Sequence, residues 1–220
     1  MNDASPSRSN AIAAKPLGYA LGAEIIGVNV NDAPQPETIA AIRALWHEHH
    51  VIVFRRARLT PDKIKAFAGA FGDLDDHAAT PFYRHADHPE LLQITNREIG
   101  GKASETRNTG RNWHSDYSYT GRPAAASMLY CDVCLPVGGD TMFANMVRAY
   151  ETLSPKMQEI VDGLDAVYDI SLTAGFGQRD PKQTAETRRL NPPIAHPAVR
   201  THPDSGKRAL YVRERVSHFH

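Results

Sequence analysis

The chain has 220 residues, of which 41% are hydrophobic and 23% charged, a balance that excludes a wholly disordered or collagen-like protein. Lys plus Arg and Asp plus Glu both number 25, so the chain lacks the net basic charge of a dedicated nucleic-acid-binding protein. No apolar stretch approaches the roughly 20 residues that span a bilayer, the start Met1–Asn10 is unlike a signal peptide, and two cysteines cannot form a disulfide scaffold. We therefore expect a cytoplasmic protein with no membrane or nucleic-acid partner, and leave a homo-oligomer open.

The sequence predicts a disordered tail over residues 1–15 and one domain over 16–220. In the first third of the chain, glycines among apolar residues favour short strands with tight turns over 17–30. The pattern further predicts a helix over 36–50, a buried strand over 51–54, and a helix from Thr60 to Phe71 that Gly72 ends.

The remainder of the chain alternates strand, loop and helix signals. The polar, glycine-containing stretch 96–112 is typical of a surface loop. The patterns predict strands at 91–95, 113–119, 127–135 and 141–143, helices at 147–153 and 155–164, and a hairpin whose turn is 203–206. The predicted fold class is mixed α+β, an antiparallel sheet decorated by helices.

The sharpest chemical feature is the pair His114 and Asp116. On a strand, residues two apart point to the same face, so these side chains can bind one metal ion together. One imidazole and one carboxylate are two thirds of the facial triad of non-haem Fe(II) oxygenases, which leaves positions open for co-substrates. Alone, a His-x-Asp match also fits a hydrogen-bonded pair at the end of a strand.

Several motifs occur in order around this pair. They are the segment 17–28, the run 71–74, the run 112–116, the Gly-Gly-containing run 135–141, and the runs 191–193 and 196–203. In this order they resemble the taurine/dichlorophenoxyacetate dioxygenase (TauD/TfdA) family, over about residues 16–212. The resemblance implies a double-stranded β-helix, a cupin-like jelly roll. It also implies an Fe(2+) enzyme that uses 2-oxoglutarate and O2.

The resemblance implies roles for four residues. His114 and Asp116 match the first two iron ligands. Thr141, after Gly138-Gly139, matches the hydroxyl residue that hydrogen-bonds the 2-oxoglutarate carboxylate, and His77 matches the histidine near the anionic end of the substrate. From the residues alone, an ordinary β-branched strand residue is the favoured interpretation of Thr141, and a solvated loop histidine fits His77 as well as a substrate-binding one. The implied reaction hydroxylates a small organic acid (a sulfonate, sulfate ester or aryloxyalkanoate) and releases succinate and CO2.

The chain departs from the family pattern at its C-terminal end. The distal histidine that serves as third iron ligand, the arginine that binds the far 2-oxoglutarate carboxylate, and the closing strands of the jelly roll have no counterpart in residues 1–220. His218 and His220 do not match the distal motif in position. We therefore expect a third ligand from outside this chain, and a 220-residue chain of low stability and little activity.

Two alternatives to this enzyme stay open from the sequence. One is a truncated or non-catalytic family remnant without turnover. The other is a metal hydrolase that uses the His-x-Asp pair for zinc. The pair Cys131 and Cys134 has no second Cys pair for a closed zinc site. On a strand the Cα atoms of these residues lie about 10 Å apart, which is too far for a disulfide bond. We therefore expect two buried free thiols.

Overall fold

The computed structural model describes residues 11–78, 84–99, 101–104, 110–172 and 180–220. The chain divides into two compact units. The first contains residues up to 73 together with 130–145, and the second contains 74–129 and 146–220. Within the described residues, no helix has both the length and the apolar character needed to cross a membrane.

The first unit is built on a small mixed sheet. Strand β1 (Ala13–Pro16) pairs antiparallel with β2 (Ala23–Ile26), and β2 pairs parallel with β3 (Ile52–Val53). A parallel pair needs a crossover connection, and helix α1 (Pro36–His49) supplies it. The predicted helix over 36–50 is thus confirmed within one residue. The strand predicted as buried over 51–54 is shorter and only half-buried, and β1 overlaps the stretch predicted as a tail.

The core of the first unit lies between the two helices and β3. Helix α2 (Pro61–Gly69) begins where predicted, because the Thr60 side chain accepts a hydrogen bond from the Lys63 amide at 3.4 Å. Phe67 on α2 packs edge-to-face against Phe54, with ring centroids 5.4 Å apart. The buried residues of this core are Val30, Ile39, Ile42 and Phe67.

The predicted strands over 127–135 and 141–143 are wrong. These residues have no regular secondary structure. A strand forms only where a neighbouring strand satisfies its backbone groups, and no strand among the described residues pairs with this segment. Its large apolar side chains are therefore exposed: Leu129, Val133, Leu135, Val137, Met142 and Phe143. Cys131 and Cys134 are exposed free thiols, so the expectation of buried thiols is wrong as well.

The second unit combines short antiparallel pairs with three helices. Its elements are β4 (Glu98–Ile99), β5 (Lys102–Ala103), α3 (Met146–Glu151), α4 (Pro155–Asp162), β6 (Asp165–Tyr168), a 3-10 turn (Ile170–Leu172), α5 (Pro181–Leu190), β7 (Ile194–Pro197), β8 (Val199–Thr201) and β9 (Arg208–Leu210). The pairs β4–β5, β6–β7 and β8–β9 are antiparallel. The predicted helices at 147–153 and 155–164 and the hairpin around 203–206 are confirmed within one or two residues.

The final residues of the chain add to the sheet of the second unit. The His220 amide donates to the Asp165 carbonyl at 3.0 Å, and the Asp165 amide donates back to His220 at 2.8 Å. The Ser217 amide donates to Val167 at 2.8 Å. This segment therefore lines β6 opposite β7.

Two further predicted strands are absent. Residues 91–95 make only an isolated bridge between Arg84 and Leu92, and residues 113–119 are irregular and then turn. The described strands form one three-stranded and three two-stranded sheets. A mixed α+β chain is therefore observed, without a closed barrel in the described residues.

Candidate metal centre

His114 and Asp116 meet although they do not lie on a strand. His114 Nε2 is 3.2 Å from Asp116 Oδ1. The other ring nitrogen, Nδ1, lies 2.7 Å from the carbonyl oxygen of Asn112. A carbonyl oxygen can only accept, so Nδ1 carries the proton and donates it. This bond fixes the ring orientation and directs Nε2 at the carboxylate.

The electrostatics of this contact call for a positive charge between the two side chains. With Nδ1 protonated, a neutral His114 presents a lone pair at Nε2, and the Asp116 carboxylate presents only acceptors. The hydrogen bond to Asp116 raises the pKa of His114 in spite of partial burial. The same bond lowers the pKa of Asp116. The pair is thus suited to hold a proton or, in its place, a metal cation.

A serine that sequence reasoning missed orients the carboxylate. The Ser127 hydroxyl donates to Asp116 Oδ2 at 2.5 Å, which leaves Oδ1 for His114. Hydrogen bonds of this kind to the second oxygen of a ligating carboxylate are typical of metal sites. The side chains of His114 and Asp116 are 42% and 45% exposed, so an ion has access to both.

The segment that carries the pair is held at both ends. Glu214 accepts a hydrogen bond from the Asn112 side chain at 2.5 Å, and its amide donates to the Trp113 carbonyl at 3.3 Å. At the far end, His196 Nε2 lies 3.0 Å from the Thr120 carbonyl oxygen. These contacts replace the predicted strand as the cause of the convergence.

His77 lies close to the pair but has both ring nitrogens engaged. Its Nε2 is 3.1 Å from the Glu90 carbonyl oxygen, so this nitrogen donates, and Nδ1 accepts from the Tyr117 hydroxyl. The two rings are stacked, with centroids 5.7 Å apart. The side chain is only 14% exposed, which differs from the solvated loop histidine that the sequence left open. His77 therefore supports Tyr117, the residue after Asp116.

Thr141 belongs to the first unit, whereas His114, Asp116 and His77 belong to the second. It is exposed and lies outside any strand. Gly138 and Gly139 before it have φ values of 80° and 77°, a left-handed backbone that glycine adopts without strain. The strand predicted over 141–143 after these glycines is not observed.

Comparison with known proteins identifies the family. The model of the taurine catabolism dioxygenase TauD, TfdA family matches residues 13–220. The chain belongs to the TauD/TfdA family. The sequence-based assignment is thereby confirmed over nearly the whole chain.

Three relatives show what this TauD/TfdA chain is similar to. An alpha-ketoglutarate-dependent 2,4-dichlorophenoxyacetate dioxygenase of Cupriavidus pinatubonensis is 32% identical over 94% of this chain and 75% of its own length. An alpha-ketoglutarate-dependent sulfate ester dioxygenase of Pseudomonas putida is 30% identical over 90% of this chain and 64% of its own. The crystal structure of a taurine dioxygenase from Burkholderia xenovorans is 29% identical with a TM-score of 0.68, over 94% of this chain and 65% of that one.

These relatives confirm the enzyme class and the cofactors expected from the sequence. All three are dioxygenases, two are named as dependent on alpha-ketoglutarate (2-oxoglutarate), and the family depends on Fe(II) and 2-oxoglutarate. The TM-score shows a shared fold, which in TauD-type dioxygenases is a cupin-like jelly roll. The chain spans three quarters of the first relative and about two thirds of the other two.

Proposed function

We propose that this chain carries part of the active site of an Fe(II)- and 2-oxoglutarate-dependent dioxygenase that hydroxylates a small organic acid. His114 and Asp116 would be two of the three protein ligands of the metal. The observation that carries the proposal is the 3.2 Å approach of Nε2 to Oδ1, with Nδ1 bonded to a carbonyl oxygen. A neutral imidazole and a carboxylate are the donor set that a non-haem Fe(II) site uses.

The donor set fits the metal because both side chains are oriented for it. Asn112 fixes the tautomer in which His114 Nε2 is a ligand atom, and Ser127 holds one carboxylate oxygen so that the other faces Nε2. A cation at these two atoms would take the place of the proton that the contact favours. The family match also favours an oxygenase over a zinc hydrolase with the same ligands.

When bound, iron would let O2 and 2-oxoglutarate supply the oxidation, in which 2-oxoglutarate becomes succinate and CO2, one oxygen atom of O2 enters succinate and the other hydroxylates a substrate carbon. The chain supplies orientation. The Thr141 hydroxyl would donate to a 2-oxoglutarate carboxylate. His77 would lie toward the anionic end of the substrate, where a direct contact requires it to exchange its hydrogen bond with Tyr117.

The proposed substrate class is a small organic acid with an aryloxyalkanoate, sulfate ester or sulfonate group. The support is the spread of relatives, which act on 2,4-dichlorophenoxyacetate, sulfate esters and taurine. If the hydroxylated carbon bears such a group, the product breaks at that carbon. All three relatives are enzymes, so the similarity favours an active dioxygenase over a non-catalytic remnant.

The test is metal binding by the chain and by two isosteric variants. The wild type should bind Mn(II), a substitute for Fe(II), and Asp116→Asn should weaken this binding at least tenfold because the amide lacks the ligand charge. Glu48→Gln is the matched control, since Glu48 is an exposed carboxylate of the first unit, 3.9 Å from His49. Equal Mn(II) affinity in the wild type and Asp116→Asn would refute the assignment.

A further inference from the structure

Arg213 lies next to the candidate metal centre without being part of it. The following residue, Glu214, is hydrogen-bonded to both Asn112 and Trp113, so the chain at Arg213 runs beside the segment that carries His114. Arg213 therefore places a cationic residue next to the segment on which the candidate metal ligands lie.

The guanidinium of Arg213 has no carboxylate partner among the described residues. One Nη donates to the Asp169 carbonyl oxygen at 2.9 Å, and the group lies over the Tyr168 ring, 5.4 Å from its centroid. The Asp169 carboxylate is turned away, because it accepts from the Ser171 amide at 2.7 Å. Nε is buried without an acceptor. A buried donor without a partner is costly, and the partial burial lowers the pKa of Arg213.

We propose that Arg213 recognises the carboxylate of a ligand bound at the His114–Asp116 centre. An arginine is suited to this role because its planar fork binds a carboxylate through two parallel hydrogen bonds. Its donors are positioned by the Tyr168 ring and the Asp169 carbonyl, so little ordering is needed on binding. The inference rests on the proposed function, and the carboxylate comes either from 2-oxoglutarate or from the organic acid.

Arg215 offers a matched control two residues away. It also donates to a backbone carbonyl, that of Leu172, at 3.3 Å, but it is exposed. It lines a shallow surface depression together with Ser171, Leu172 and Val216. Replacing it therefore removes a nearby arginine and the same kind of hydrogen bond without touching the guanidinium beside the centre.

The experiment measures calorimetric binding of 2-oxoglutarate and of phenoxyacetate, each with and without Mn(II). Arg213→Gln should weaken the binding of one of these two acids about tenfold or more. Arg213→Lys should weaken the same binding less, because the charge stays while the two-point contact is lost. Arg215→Gln should bind within about twofold of the wild type. The affinity for the neutral probe 2-phenoxyethanol should be the same in the wild type and in both Arg213 variants. If Arg213→Gln fails to fold, Arg213→Lys carries the comparison.

The outcomes distinguish 2-oxoglutarate from the organic acid as the source of the carboxylate. They also distinguish failure of the Arg213 inference from failure of the proposed function. If the variants weaken only the binding of 2-oxoglutarate, Arg213 recognises the co-substrate. If they weaken only the binding of phenoxyacetate, Arg213 recognises the organic acid. The inference is overturned if the Arg213 variants bind both acids as the wild type does, if the wild type binds neither, or if only Arg215→Gln shows the loss. If the wild type does not bind Mn(II), the proposed function is refuted. The titrations without Mn(II) still decide the role of Arg213.

Discussion

Replacing Ser127 with alanine isolates the contribution of one hydrogen bond to the proposed metal centre. The hydroxyl donates to Asp116 Oδ2 at 2.5 Å, and the variant removes it while leaving both proposed ligands in place. A hydrogen bond to a charged acceptor contributes about 1.5–3 kcal/mol. Because Asp116 is 45% exposed, water replaces part of the lost bond, and the lower end of this range applies. A loss of about 1.5 kcal/mol corresponds to a fall in Mn(II) affinity of about tenfold.

The assay is a titration of Mn(II) followed by the electron paramagnetic resonance of the free ion. Ser115→Ala is the matched control, since Ser115 is an exposed serine between His114 and Asp116 whose hydroxyl makes no hydrogen bond to the described residues. It should bind as the wild type does. The reasoning fails if Ser127→Ala binds Mn(II) as tightly as the wild type, or if both serine variants lose affinity equally.

Three further predictions concern other parts of the chain. In an enzyme with measurable turnover, Thr141→Val should weaken 2-oxoglutarate binding roughly ten- to hundredfold and change organic-acid binding little, as seen in the two apparent affinities. Phe67→Ala should lower the free energy of unfolding by about 3–5 kcal/mol, measured by urea denaturation, because it opens a cavity against Phe54. The hydrogen bond from Arg208 lowers the pKa of Asp162, so this pair stabilises the chain above the ordinary Asp pKa and the stabilisation is lost as pH falls through the lowered one. Denaturation midpoints between about pH 5 and pH 3 should therefore fall less steeply in Asp162→Asn.

The helices could be predicted because their signals are local. Thr60 and Ser154 each accept a hydrogen bond from an amide three residues on, and each is followed by a proline that suits the first helical turn. The hairpin turn at 203–206 is local in the same way. Such signals act within a few residues, so the sequence beside them is sufficient.

The predicted strands over 113–119, 127–135 and 141–143 do not form. Local composition could not show this, because a strand depends on a partner elsewhere in the chain. The segment 127–135 has strand-like composition, yet no neighbouring strand among the described residues satisfies its backbone. The same reason accounts for the exposed Cys131 and Cys134. Without a sheet, their side chains stay exposed among the described residues.

The pair His114 and Asp116 was predicted from strand geometry and meets through other contacts. The Asn112 carbonyl, the Glu214 bonds and the turn after Asp116 bring the two side chains together. Ser127 and Arg213 carry no sequence signal, since their approach to the pair depends on the tertiary fold. That the pair binds metal stays a prediction.

The most direct test of the central claim is the position of a metal ion in a crystal of the chain grown with Mn(II). Anomalous diffraction should place the ion against His114 Nε2 and Asp116 Oδ1, about 2.0–2.2 Å from each atom, and Asp116→Asn should abolish the peak. An ion bound instead at another group of the chain, such as His218 and His220, with none at His114, would contradict the account.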